Sequence, residues 1–301
     1  MTSIAVAGAT GNLGRKIVKA LCARGAEVRA LVRPGTPAEK IALLEQLGAE
    51  IVEVDLGDRA ALARALAGTA CVVSALQGLR EVIVGTQSAL LDAAVAAGVR
   101  RFIPSDYSTD FTQMREGTNR NFDLRLEFHR TLALAPIRAT SMFNGAFMDM
   151  LAWGMGLVDT RGHRVTHWGD DANALLQFTT MDDTAAYTAE AALDENAPRF
   201  IRVAGDLLGP RQLAAVAEAA TGEKFSVVSL GSLQALEKEI ETQRAADPAP
   251  ESSPFPKWVQ LQYALGMING LAVVEPLDND RYAGIRLTRV QDFLSTVVAR
   301  A

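Results

Sequence analysis

Near the start of the chain, Gly8-Ala9-Thr10-Gly11-Asn12-Leu13-Gly14 sets three glycines at intervals of three. It lies between an apolar run, Ser3–Ala7, and a stretch with helical periodicity, Arg15–Leu21. A buried strand, a glycine turn and a helix in that order is the setting in which backbone N–H groups hold a dinucleotide pyrophosphate. Gly8 suits the sharp turn, Gly11 the close approach of phosphate to backbone, and Gly14 the packing of helix on strand. Thr10, Asn12 and Leu13 complete the turn and open the helix, whose N-terminus offers unpaired donors and the positive end of its dipole. The spacing is G-x-x-G-x-x-G rather than G-x-G-x-x-G, so the flanking strand and helix carry more of the argument than the glycines do.

Further residues extend this chemistry. The second apolar run ends at Val32-Arg33-Pro34, where such a fold meets the adenosine ribose. An acidic residue there takes the 2′-hydroxyl of NAD(H), whereas an arginine pairs with the 2′-phosphate of NADP(H). Arg33 therefore points to NADP(H) over NAD(H), with Lys40 as a second cation nearby in sequence. Asp55 is placed either to meet the adenine amino group or to serve the turn Asp55-Leu56-Gly57-Asp58 as a cap. Ser74-Ala75-Leu76-Gln77 follows the fourth apolar run, where small residues let the backbone approach ribose and nicotinamide.

The elements that must position these groups alternate regularly. Strands are expected at Ser3–Ala7, Glu27–Val32, Glu50–Val54, Ala70–Ala75, Arg100–Pro104 and Arg138–Phe143. Helices are expected at Leu13–Ala23, Ala38–Leu47, Arg59–Leu66, Leu79–Ala97 and Phe122–Leu134. Strands this continuously apolar, each followed by a helix, imply a doubly wound parallel sheet covered on both faces. The fold class is α/β: a Rossmann-type domain over 1–155, its sheet completed by segments within 175–205, and a smaller α+β substrate domain over 156–301. Gly145–Met155 reads as a Met-rich helix or lid, and the proline-rich stretch Asp247–Pro256 as a mobile loop. Strands at Leu175–Thr180, Phe200–Ala204 and Lys224–Val228 and helices at Asp182–Leu193, Arg211–Ala220, Ser232–Arg244 and Trp258–Ile268 complete the pattern.

The 301 residues carry a formal net charge of −5, which argues against nucleic acid as a partner. No apolar run is long enough to span a bilayer and no secretory leader is evident, so a cytoplasmic protein with no membrane partner is expected. Cys22 and Cys71 make no disulfide framework and read as small buried hydrophobes. His163 and His167 have helical spacing, but Gly162 and Val165-Thr166 argue for strand or loop, so no metal site is expected. His129 suits surface or structural duty.

With these pieces in place the sequence resembles the NmrA-like and isoflavone-reductase/phenylcoumaran-benzylic-ether-reductase group of atypical short-chain dehydrogenases. The matching stretches are Gly8–Gly14, Leu31-Val-Arg33, Val99-Arg-Arg-Phe-Ile-Pro-Ser-Asp106, Met142-Phe-Asn-Gly-Ala-Phe147, Met181-Asp-Asp183 and Leu277-Asp-Asn-Asp-Arg-Tyr282. The resemblance implies an NADPH-binding domain, a smaller C-terminal domain closing over substrate, and reduction of aromatic or quinone-like compounds. The Tyr-x-x-x-Lys pair of ordinary short-chain dehydrogenases is absent, which weakens an epimerase-like reading. The aromatic reductases of the group use a lysine in a Phe-x-x-Lys-like context. The matching stretch here is Phe122-Asp123-Leu124-Arg125, and an arginine keeps its charge where a lysine can exchange a proton.

The candidates for catalysis are thus Arg125, which can orient ligand and stabilise negative charge, and Tyr107, a phenol reaching the pocket or a ring packed where the group usually has Phe. Asn144, Phe147, Met148 and Trp153 are candidates for substrate contact. Asn144 has an amide to offer, and Met142, Met148, Met150, Trp153 and Met155 form either an adaptable apolar wall or ordinary core. The expected function is NADPH-dependent hydride transfer to a small aromatic, quinone-like or conjugated carbonyl substrate, by a monomer or homodimer. The alternative is a non-catalytic NADP(H)-sensing regulator.

Overall fold

The structure, a computed structural model, describes residues 1–151, 157–246, 253–268 and 275–298. The chain forms two compact units. The first comprises Met1–Tyr107, Leu124–Met142 and Thr184–Ile201, and the second Ser108–Asp123, Phe143–Asp183 and Arg202–Ala301. The chain therefore passes between units several times, where the sequence suggested one cut after residue 155.

The first unit is built on six parallel strands: β1 (Ser3–Ala7), β2 (Glu27–Val32), β3 (Glu50–Glu53), β4 (Cys71–Ser74), β5 (Arg101–Ile103) and β6 (Arg138–Ala139). Their spatial order is β3-β2-β1-β4-β5-β6. The connecting helices are α1 (Asn12–Cys22), α2 (Ala38–Gln46), α3 (Arg59–Ala65), α4 (Gln87–Ala96) and α5 (Arg120–Leu134), the last beginning in the second unit. Ile4, Ala5, Val6 and Ala7 are wholly buried, as the apolar run of β1 requires of a strand covered on both faces. Val72, Leu62, Leu90, Phe102 and Phe128 join Ala5 and Ala7 in one core cluster. Strand order reverses between β1 and β4, so the crevice where such sheets bind ligands lies beyond the C-terminal ends of these two strands.

Two expected elements come out differently. The helix expected over Leu79–Ala97 opens as a π-helical turn, Glu81–Thr86, before α4 begins. The Thr86 hydroxyl donates to the carbonyl of Glu81 five residues back at 3.0 Å, closing the wider turn. The strand expected over Arg138–Phe143 breaks after Ala139. Thr140 N still donates to Phe102 O at 3.0 Å, but Ser141 N turns to Arg199 O at 2.8 Å and begins β7 (Ser141–Phe143).

That exchange also shows why Thr184–Ile201 belongs to the first unit. Arg101 sends its guanidinium to the carbonyls of Ala191 (2.8 Å), Asp194 (2.6 Å) and Ala192, at the C-terminal end of a helix over Met181–Leu193. Arg24, just past α1, pairs with Glu190 of the same helix at 2.8 Å. These partners lie far apart in sequence, so the chain order alone does not announce them.

The second unit is built of shorter pieces. One three-stranded sheet takes Ala146–Phe147, Leu176–Thr179 and Asp206–Leu208, and another takes Val158–Asp159, Arg164–His167 and Ser226–Ser229. Helices over Pro210–Thr221, Leu233–Ala246, Lys257–Ile268 and Val290–Val298 complete it. Met148, Leu151, Val165, Phe178, Leu213 and Leu294 pack together as its core. Of the Met-rich helix or lid expected over Gly145–Met155, the described part is the short strand Ala146–Phe147 followed by a 3₁₀ turn, Met148–Leu151, and residues 152–155 lie outside the described residues. No helix among the described residues is long and apolar enough to cross a membrane.

Candidate active site

The glycine turn is shaped by contacts that leave no room for side chains. Gly8 has φ +78°, and a Cβ there would lie 2.5 Å from the carbonyl oxygen of Ala75. A Cβ on Gly14 would lie 2.1 Å from the carbonyl oxygen of Gly8. Gly14 therefore packs the helix against the turn itself, a tighter constraint than helix against strand. Gly11 differs: a Cβ there would meet only Gly8 O, at 3.3 Å. The residue is exposed and N-caps α1 without a side-chain cap. The open face at Gly11 and the uncapped first turn of α1 fit a pyrophosphate, with Thr10, Asn12 and Leu13 alongside.

From this turn a line of contacts runs across the sheet's C-terminal edge. Ala75 N donates to Ala7 O at 2.8 Å, holding Ser74–Gln77 against the glycine turn. Ser105, just past β5, donates from its hydroxyl to Leu76 O at 2.6 Å. The carbonyl of Ser105 accepts from Arg125 Nε at 3.0 Å, and its N–H donates to Gln87 Oε1 at 2.9 Å. Gly8–Gly14, Ser74–Leu76 and Arg125 are thereby brought together around the β1/β4 switch point. The hydroxyl of Ser74 is buried without a hydrogen-bond partner in the protein, and Gln77 is exposed.

The next residue, Asp106, is wholly buried, and its Oδ2 lies 2.6 Å from His129 Nε2. Burial alone would raise this carboxyl. The imidazole of His129, the Ser141 hydroxyl and the charge of Arg125 outweigh it and hold the group below the usual carboxylate range. Arg125 and His129 stand four residues apart on α5, so one helix face grips two consecutive residues beyond β5. The arginine of Arg199 joins through Ser141 Oγ at 2.6 Å. The sequence reading placed Arg125 here but missed Gln87, Ser105 and the Asp106–His129 pair. The available signals were a glutamine opening an apolar helix and a histidine four places after Arg125.

On the other side of the same edge, Arg33 follows β2 and is exposed. Its carbonyl accepts from Thr36 N (3.1 Å) and Thr36 Oγ1 (2.7 Å), so a turn fixes the backbone and leaves the side chain outside. Lys40, in the first turns of α2, is also exposed. Asp55 is a turn residue, its Oδ1 accepting from Gly57 N at 2.9 Å, and the cap of α3 is Asp58 instead.

Tyr107 is buried, and burial pushes its phenol far above the ordinary range. The ring is packed in the protein interior. In the second unit, Asn144 is wholly buried with its Oδ1 unpartnered in the protein, while its Nδ2 donates to Gly145 O at 3.2 Å. Phe147 is half-buried on the short strand Ala146–Phe147. Met148, expected to contact substrate, is instead wholly buried in the second unit's core. Its place at the head of the 3₁₀ turn directs it among Leu151, Val165 and Phe178. Trp153 and Met155 lie outside the described residues. His163 and His167 sit on either side of a strand start, not along a helix. Cys71 is buried, and its thiol is pushed up to about 12 by that burial, as a small packed hydrophobe should be.

A model described as the NmrA-like family matches residues 1–285. The chain belongs to the NmrA-like family. Pinoresinol reductase 2 of Arabidopsis thaliana is 32% identical over 241 residues, 74% of this chain and 76% of that relative. The isoflavone reductase homolog IRL of Zea mays is 32% identical over 239 residues, again 74% and 76%. A solved structure of AtPrR2 with NADP+ and (+)pinoresinol matches with a TM-score of 0.80 at 27% identity, covering 99% of this chain and 98% of that one.

Several stretches that carried the NmrA-like resemblance are structural in this chain. Asp278 and Arg202 exchange hydrogen bonds, Arg202 N to Asp278 Oδ2 (2.8 Å) and Asp278 N to Arg202 O (2.6 Å). The amide of Asn279 accepts from Ala204 N (3.1 Å) and donates to Ala204 O (2.9 Å), acting as a strand neighbour would. Asp183 Oδ2 accepts from Thr288 N at 2.8 Å. The NmrA-like stretch ending in Ser105-Asp106 is different, because it lies inside the contact line at the switch point.

Proposed function

We propose that this chain, an oxidoreductase of the NmrA-like family, transfers hydride from NADPH to a small aromatic acceptor of the quinone-like or conjugated carbonyl kind. The observation that carries the reading is the continuous line from the glycine turn through Ala75, Leu76 and Ser105 to Arg125, at the edge where the strand order reverses. The comparisons support it, since one relative is a pinoresinol reductase and one solved structure holds NADP+ with (+)pinoresinol.

NADPH supplies the hydride; the protein's task is to bind, orient and balance charge. Gly11 and the first turn of α1 would hold the pyrophosphate, and Arg33 the 2′-phosphate with Lys40 in support. Ser74–Gln77 would flank the ribose and nicotinamide. Arg125 stays a cation throughout, so its contribution is to orient the acceptor or cofactor and stabilise negative charge growing on an acceptor oxygen. No side chain in the line is a ready proton donor near neutrality. A quinone or conjugated carbonyl suits such a site, because its oxygen takes the proton from solvent. In the second unit, Asn144 and Phe147 are the proposed substrate contacts, the unpartnered Asn144 Oδ1 being an acceptor that a substrate hydroxyl would satisfy.

The test is NADPH oxidation by the purified protein against a panel of quinones, aromatic enones, aromatic aldehydes and pinoresinol, with NADH in parallel. Saturable turnover with NADPH is expected, and the best acceptor assigns the substrate class. NADPH binding without turnover of any member would replace this reading with a cofactor-sensing regulator.

A further inference from the structure

Gln87 has no solvent exposure, and a buried amide is tolerated only when its polar ends are hydrogen-bonded. Nε2 donates to Ile83 O at 3.1 Å, and Oε1 accepts from Ser105 N at 2.9 Å. The second of these bonds reaches from the start of α4 to the segment just beyond β5, so the amide ties two elements together.

Two observations lift Gln87 above ordinary core satisfaction. The first is the π-helical turn Glu81–Thr86 immediately before it. A π turn takes in more residues than an α turn, so it resets the direction of every side chain that follows, and such turns gather at functional sites. The second is that Ser105 is bonded at all three of its polar positions. Its N–H goes to Gln87, its hydroxyl to Leu76 O, and its carbonyl receives Arg125 Nε. Gln87 thus holds a residue that both meets the Arg125 guanidinium and anchors Ser74–Gln77.

We infer that Gln87 is a positioning residue for hydride transfer, fixing Ser105 and through it both Arg125 and the 74–77 segment. The inference rests on the NADPH-reductase reading above. Without Oε1, Ser105 N–H is a buried donor lacking an acceptor, and the residue must rotate to find another. Its carbonyl and hydroxyl turn with it, releasing Arg125 on one side and Leu76 on the other. Misplacement by about 1 Å at a reacting centre is enough to lower a rate on the order of a hundredfold.

The experiment uses the full chain with NADPH and 1,4-naphthoquinone as the probe acceptor. Gln87→Met removes the amide at similar volume, and Gln87→Glu keeps an acceptor for Ser105 N–H. In Gln87→Met, kcat should fall about tenfold or more while the NADPH dissociation constant stays within about threefold of the parent. Gln87→Glu should recover kcat to within about threefold of the parent. Unchanged kcat in a folded Gln87→Met, or equal losses in both variants, overturns the inference, since a merely structural Gln87 would lower the melting temperature and leave kcat alone. Should Gln87→Met fail to fold, Gln87→Asn, which keeps the amide but shortens its reach, is judged by the same criteria. A parent protein that binds NADPH but reduces no acceptor contradicts the reductase reading instead. The emission of bound NADPH then decides for Gln87: a change in Gln87→Met that Gln87→Glu reverses supports it, and unaltered emission overturns it. A parent that does not bind NADPH overturns both.

Discussion

At the scale of single residues, the exposed cation and the buried anion of the first unit make opposite kinds of prediction. Arg33 is exposed, and its backbone is fixed by Thr36 whatever its side chain does. Arg33→Glu should therefore leave the fold intact and act on the ligand alone. A carboxylate facing a 2′-phosphate replaces a charge-assisted pair by repulsion, so NADPH affinity should fall roughly a hundredfold while NADH affinity changes less than about threefold. Titration of both cofactors against both proteins checks this; equal loss of the two would remove Arg33 from the 2′-phosphate. Asp106 works through stability. Its folded carboxyl is held below the usual range by His129, Ser141 and Arg125 against the pull of burial. The folded state thus takes up the proton less readily than the unfolded one. The stabilisation is complete above the unfolded value of about 3.9 and is lost as pH falls through the lower folded value. Asp159, at the end of the strand Val158–Asp159, is displaced in the same direction by its bond from Gly162 N, so the wild-type acid limb contains both. The informative quantity is the difference: Asp106→Asn should melt lower at pH 7 and lose less on going from pH 5 to pH 3. Parallel melting curves against pH would contradict it.

At the scale of elements, the glycine turn separates what the fold demands from what a ligand demands. A Cβ on Gly14 would overlap the backbone oxygen of Gly8, which cannot move without opening the turn, whereas a Cβ on Gly11 needs that oxygen to yield by a few tenths of an ångström. Gly14→Ala should cost about 2–4 kcal/mol of stability, and Gly11→Ala less than about 1, while losing most NADPH affinity because the added methyl occupies the approach of the pyrophosphate. Thermal or urea unfolding beside NADPH titration tests both; reversed effects would reassign the two glycines. The same turn shows what the sequence made legible. β1 and β2 run over the residues expected, since a continuous apolar run bounded by glycine and charge has one buried solution. Regular alternation implied the parallel doubly wound sheet, while its strand order is read from the structure. The π turn was not legible, because Glu81–Thr86 is compatible with an α-helix in composition. In the second unit the four-residue strands Leu176–Thr179 and Ser226–Ser229 fall on or overlap expected ones, whereas Ala146–Phe147, Val158–Asp159 and Asp206–Leu208 are too short for a period-two pattern to register. Met148 was left between two readings for a related reason: a buried methionine and a pocket methionine have the same sequence signature.

At the scale of the whole molecule, the helices of the described residues differ in how their N-termini are finished, and that difference says where NADPH should be felt. α3 is capped by Asp58, whose side chain accepts from Ala61 N at 2.9 Å. The first turn of α5 is closed by Asn119, whose Oδ1 accepts from Asn121 N (2.9 Å) and Phe122 N (3.1 Å). α1 has no side-chain cap, although it opens the most tightly constrained turn in the first unit. The first N–H groups of a helix have no intrahelical partner, so those of Asn12, Leu13 and Gly14 await an external acceptor. α2 also lacks a side-chain cap, at Pro37, so what distinguishes the α1 end is the glycine turn it opens, and there we propose that phosphate binds. Saturating NADPH should raise stability by about 2.7 kcal/mol at a hundred times its dissociation constant. In amide hydrogen exchange the added protection should be largest at Asn12–Gly14 and in Ser74–Gln77, and small at Ala61 and Phe122, which already have acceptors. Exchange slowed evenly over all four places would mean that NADPH acts through global stability alone, and no slowing at Asn12–Gly14 would remove the pyrophosphate from the α1 terminus.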